Sequence, residues 1–133
     1  MKRLLIALCL VLTCATAVHA TEYAALWSVW SLDGQAIYLT GFHQGLTFMP
    51  DPVLTTLKES GVAGKNAYAR IVIRAYEDRD TQGDMARLAR IMSALYADPA
   101  NAHIHPGVLF FAASAQLAGY PDSEIVEALR IMR

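Results

Sequence analysis

The stretch PGVLFFAASAQLAG, Pro106–Gly119, decides the fold. Between Val108 and Ala118 only Ser114 and Gln116 are polar, so a helix drawn through it has no solvated face. Such a helix is buried on all sides, and other helices must surround it. Pro106 suits the first helical position, where an amide hydrogen would have no partner within the helix, and Gly119 suits the left-handed residue just past the end. A dozen residues at 1.5 Å each give roughly 18 Å. A bilayer core is about 30 Å thick, so this is a core helix and not a membrane span.

The chain opens with Met1-Lys2-Arg3, a basic tip, followed by the apolar run Leu4–Leu12 and the mostly small residues Thr13–Ala20. That order predicts a secretory signal peptide over residues 1–20. Cleavage fits after Ala17 or after Ala20, and the polar Thr21-Glu22 that follows favours Ala20. An alternative reading places a lipid on Cys14, against which Thr13 stands where a lipid-attachment signal has Gly, Ala or Ser. Cys9 and Cys14 are the two cysteines of the chain. Residues 21–133 therefore carry no thiol, and a single domain built from them must hold together by its apolar core in an oxidising compartment. The whole chain has a net charge of −1, which becomes more negative when Lys2 and Arg3 leave. No basic run is longer than one residue after that, so nucleic acid and anionic lipid are not expected partners.

The pattern predicts an all-α domain, a compact bundle of about five or six short helices around the central one. Ser31 caps a helix from Leu32 to about Phe48, with Asp33 placed at the positive end of its dipole. Gly34, Gly41 and Gly45 share one face of it, beside Tyr38 and Phe48. Interior glycines each cost about 1 kcal/mol against Ala, which predicts that another helix approaches that face closely. On that expectation Gly41→Leu would cost at least about 2 kcal/mol by overpacking. Trp27 and Trp30 are expected to pack as an apolar clamp over the first turn, with surface tryptophans used for binding as the alternative. Asp51-Pro52 opens a helix running to about Ser60, and Gly61 stops it.

Ile71-Val72-Ile73 favours a strand by propensity. Asn66, Arg70, Arg74 and Glu77 nevertheless recur at the helical period, which predicts a helix over Ala67–Glu77. Thr81 with Asp84 resembles a capping box before a helix beginning near Gln82, whose apolar stripe is Met85, Leu88, Ile91, Met92, Leu95 and Tyr96. Asp98–Asn101 forms a turn. Asp122 or Ser123 caps a last helix with Ile125, Val126, Leu129 and Met132 inward.

Two constellations invite a chemical reading. Asp78-Arg79-Asp80-Thr81-Gln82-Gly83 matches the start of a calcium loop, but position twelve is Ala89, where a bidentate Glu is required. His103 and His105 alternate along an extended segment and could jointly ligate a metal with His43 or Asp98. The simpler assignments are a helix cap for His105, a surface contact for His103 and a solvated loop for Asp78 and Asp80. Residues 21–133 offer no thiol nucleophile and no serine in a Gly-x-Ser-x-Gly turn, so an enzyme is not expected and no cofactor is implied.

Trp30-Ser31, Tyr38-Leu39-Thr40-Gly41-Phe42 with Gly45, and Tyr96-Ala97-Asp98-Pro99-Ala100-Asn101 leading into an apolar helix resemble a broad group of small exported bacterial helical proteins. The best-understood neighbours of that group are type VI secretion amidase immunity proteins, periplasmic inhibitors of peptidoglycan amidases. The resemblance covers residues 27–119 in outline and implies a helical exported protein that neutralises an incoming effector. Many of those proteins carry paired cysteines, which residues 21–133 lack, and no functional residue is carried over. The resulting expectation is an exported or periplasmic non-enzymatic domain that binds another exported protein. The alternative is a small metal-binding protein using His103 and His105, or Asp78 and Asp80. The structural residues singled out are Trp30, Gly41, Gly45, Pro106 and Gly119.

Overall fold

A computed structural model describes residues 22–48, 55–56, 58–78 and 83–133. Among these residues there are six α-helices and no strand: α1 (Tyr23–Ser28), α2 (Leu32–Thr47), α3 (Ala67–Glu77), α4 (Met85–Tyr96), α5 (Pro106–Leu117) and α6 (Asp122–Met132). Short 3-10 turns at Val62–Gly64 and Pro99–Asn101 precede α3 and α5. The signal-peptide reading, both its cleavage points and Cys14 lie outside the described residues, as do Asp80 and Thr81. Of the helix expected over residues 51–60, positions 55–56 and 58–59 are helical, Ser60 is in a turn, and 51–54 and 57 lie outside the description.

The central element is α5. Leu109, Phe110, Ala112 and Ala113 have no accessible surface, because α3, α4 and α6 all pack against this helix. Its start combines the proline at the first position with the His105 side chain, whose Nδ1 accepts from the Gly107 amide at 3.0 Å. Its end is a Schellman motif. Gly119 adopts φ +79°, the Tyr120 amide donates to the Ala115 carbonyl, and the Gly119 amide donates to that of Gln116. Among the described residues no helix is long and apolar enough to cross a membrane.

The aromatic core radiates from this helix. The Phe42 ring of α2 lies 5.0 Å from that of Phe110, while Phe111 meets Tyr68 and Tyr76 of α3. Ring pairs at these separations add about 0.5–1.5 kcal/mol each beyond their area burial. The strand propensity of Ile71-Val72-Ile73 is overridden here. Ala67, Ile71 and Ala75 stack at successive turns of α3 and are buried, whereas Arg74 and Glu77 stay in solvent. Asn66 caps this helix by accepting from the Ala69 amide.

Two buried amide side chains reinforce helix ends. Gln35 donates from Nε2 to the Trp27 carbonyl at 2.9 Å, at the end of α1. Asn101 donates to the Leu95 carbonyl at 2.8 Å, at the end of α4, and accepts from Arg133 Nε. The Trp27 and Leu95 carbonyls also accept from the Trp30 and Asp98 amides, so each side chain adds a second donor, and these hydrogen bonds are why both polar groups tolerate burial.

Several local expectations need correction. The Gly34/Gly41/Gly45 face is not a packing seam: Cβ atoms added at Gly41 and Gly45 would meet nothing within 4 Å, and both residues are exposed. Helix α2 instead turns Gln35, Leu39 and Leu46 inward, with Phe42 half-buried. The close approach occurs at Gly107, where a Cβ would lie 2.8 Å from Phe42 Cε2. Asp84 itself caps α4, accepting from the Arg87 amide at 2.8 Å, so the helix is described from Met85 and not from Gln82. Helix α6 begins after Pro121 without a side-chain cap, and Asp122 and Glu124 occupy its first turn. Val126 points outward at 60% exposure, and Ala128 takes the inward position beside Ile125 and Leu129.

Candidate interaction surfaces

Trp27 and Trp30 act differently. Trp27 is 2% exposed and donates from its indole nitrogen to Ser93 Oγ, anchoring α1 on α4. Trp30 lies past the end of α1 and stays 43% exposed, its ring tilted against Trp27 and Tyr38 at 6.1 and 5.5 Å. Around it Leu26, Val29 and Leu32 are exposed as well. Along α2 an exposed strip runs through Ile37, Gly41, Gly45 and Phe48, spaced at steps of three or four residues, while Gly34 is half-buried beside Trp30. Ile37 is 73% and Phe48 86% exposed, with the glycines between them leaving the helix surface flat. Single exposed apolar residues are ordinary, and here six of them lie on α1, α2 and their connections.

A second feature lies across α5, between α3 and α6. A cleft of about 420 Å³ is lined by Arg70, Ile71, Ile73, Arg74, Tyr120 and Glu124, among others. Arg70 and Arg74 are one helical turn apart and share a face of α3. Arg70 Nη1 donates to the Ala63 carbonyl at 3.1 Å, and its Nε lies 3.9 Å from Glu124. The Arg74 guanidinium sits 5.5 Å from the Tyr120 ring centre, a cation–π arrangement. The Tyr120 hydroxyl donates to Asp78 Oδ2 at 3.3 Å. Burial pushes the Tyr120 phenol above its ordinary pKa, and the Asp78 charge adds to that rise against the opposing pull of Arg74. The phenol therefore stays protonated at neutral pH and remains a donor.

Of the residues singled out for metal chemistry, those described are not brought together as a set of three or more. His105 spends Nδ1 on capping α5 and packs edge-on with Tyr23 at 5.0 Å. His103 is exposed. Asp98 caps the 3-10 turn by accepting from the Ala100 amide and pairs with Arg133. Among the described residues no group of three or more His, Cys, Asp or Glu is placed to hold a metal ion. At the calcium-like loop, Asp78 meets Tyr120, and the position that would need a bidentate Glu is Ala89, fully buried inside α4. Pro106 stands in the first turn of α5, and Gly119 has φ +79° just past its end.

The α3–α6 cleft is what sequence reading missed. Arg70 and Arg74 were legible as a polar stripe, but Tyr120 comes from the connection after α5, and only the fold brings it beneath Arg74. No protein-family model, no curated protein and no solved structure matches the chain.

Proposed function

We propose that this protein is an exported, non-enzymatic binding domain that engages another exported or incoming protein through the α1–α2 strip. The observation that supports the reading is the exposure of Leu26, Val29, Trp30, Leu32, Ile37 and Phe48, all on α1, α2 and their connections, on a domain whose remaining large apolar side chains are mostly packed. Exposed apolar area is a standing aggregation hazard, and a protein partner that covers it removes that hazard. Trp30, half-exposed and braced by Trp27 and Tyr38, has the character of an interface anchor: a large ring already held in place before binding. Neutralisation of an incoming effector, the role implied by the resemblance to amidase immunity proteins, is one form this binding takes in the proposal.

The test is affinity capture from the exported fraction of the source organism and from the secretions of its neighbours, with wild type beside Ile37→Asp and Trp30→Ala. Ile37 is 73% exposed, so Ile37→Asp should keep wild-type circular dichroism and melting, whereas Trp30→Ala gives up its ring contacts with Trp27 and Tyr38 and should melt lower while staying folded. In both, capture of the partner should drop at least tenfold, about 1.4 kcal/mol. Capture that ignores both substitutions would move the interface elsewhere. The immunity version adds a genetic expectation: a gene for an exported toxin lies beside this one and is lethal when this gene is deleted. Deletion without any such effect removes that version.

A further inference from the structure

We propose that the cleft between α3 and α6 binds a carboxylate carried on a short apolar body, as in a free peptide C-terminus or a small aliphatic acid. Its volume of about 420 Å³ lies within the range of small-ligand sites, about 300–1,000 Å³. The cationic side is preorganised. Arg70 is held to the Ala63 carbonyl and Arg74 to the face of Tyr120, so neither guanidinium must be frozen out of solution when an anion arrives. None of the ion pairs among the described residues uses Arg74, and the Glu124 contact to Arg70 is a long one at 3.9 Å. A planar fork of N–H donors fits a carboxylate in two-pronged fashion.

The rest of the lining selects among anions. Ile71, Ile73 and Pro121 offer an apolar wall for an alkyl group, which inorganic ions lack. Glu124 borders the same cleft and Asp78 holds the Tyr120 hydroxyl, so two negative charges stand near the cationic pair. A dianion such as a phosphate monoester is repelled more strongly by them than a singly charged carboxylate. The site is independent of the α1–α2 strip, and either can fail without the other.

Isothermal titration and amide chemical-shift mapping on the purified protein test the site with four probes: the tripeptide Ala-Ala-Leu, its C-terminal amide, hexanoate and inorganic phosphate. The expected result is saturable binding of the tripeptide or hexanoate, with shifts centred on Arg70, Arg74 and Tyr120. The amide should bind at least about tenfold more weakly, since it forfeits the charge-assisted hydrogen bonds. Arg74→Gln and, separately, Arg70→Gln should each weaken the carboxylate about tenfold while the melting temperature holds. Stronger binding of the tripeptide than of hexanoate identifies a peptide terminus as the source, and the reverse order identifies a small acid. The proposal is overturned if neither carboxylate binds at about 10 mM, if acid and amide bind alike, if phosphate alone binds, or if folded Arg74→Gln binds like wild type.

Discussion

At Gly107 a Cβ would lie 2.8 Å from Phe42 Cε2 and 3.2 Å from the capping His105 Nδ1, whereas at Gly41 it would meet nothing within 4 Å. Both glycines are helical, one in α5 and one in α2. The first is buried under a phenyl ring and permits α2 and α5 to close on each other. The second is exposed and keeps the outer surface of α2 flat between Ile37 and Phe48. The contrast teaches that helical spacing tells which residues share a face, but says nothing about whether that face is turned in. At Gly107 the small residue is a packing requirement; at Gly41 packing makes no demand for it.

The largest effect that would test this contrast is Gly107→Val. Its branched side chain must displace Phe42, which is already seated against Phe110 and Phe111, and must crowd the His105 cap. A loss of about 2–3 kcal/mol is expected, read as a lower urea midpoint at unchanged slope. Wild-type stability would show that Phe42 can vacate the site, and the contrast would collapse.

A gentler version sharpens it. Gly107→Ala should cost about 1 kcal/mol net, because the better helix former still collides with Phe42. In a Phe42→Leu background the obstructing ring edge is gone, and the same substitution should cost less. The coupling between the two changes, about 0.5–1 kcal/mol in a double-mutant cycle, isolates the contact from the propensity term. Strict additivity would mean that the contact carries no energy.

How much of this was legible follows from the physics of each element. Helix α5 could be read outright, since a segment with no polar face has one possible environment, and its proline and glycine mark both ends. Helix α3 was legible despite its β-branched run because its polar residues kept the helical period. Helix α2 resisted because Ile37, Tyr38, Leu39, Phe42, Leu46 and Phe48 surround it with apolar groups, leaving no pattern to say which side packs. Its partners α4 and α5 decide that, through Leu39, Leu46 and Phe42. The burial of Gln35 and Asn101 depends on carbonyls of other turns, which spacing alone does not reveal. The Arg70–Arg74–Tyr120 cleft was invisible for the same reason: its parts meet only after α6 folds back on α3.

The smallest expected effect is also the most discriminating, and it concerns Gly41. Position 41 lies in the interior of α2 with open space where a Cβ would go, so Gly41→Ala removes the entropic cost of glycine without any collision. A gain of about 0.5–1 kcal/mol is expected, seen as a higher melting temperature. Gly41→Leu should likewise stay within about 0.5 kcal/mol of wild type or above it, the opposite of the loss that a packed glycine face would produce. If the α1–α2 strip is the docking surface, the same Leu side chain stands up from its flat centre and should weaken partner capture while stability holds. Loss of stability in both variants would restore the packed-face reading. Gain of stability with reduced capture would identify partner binding, and not folding, as what the glycine at this position serves.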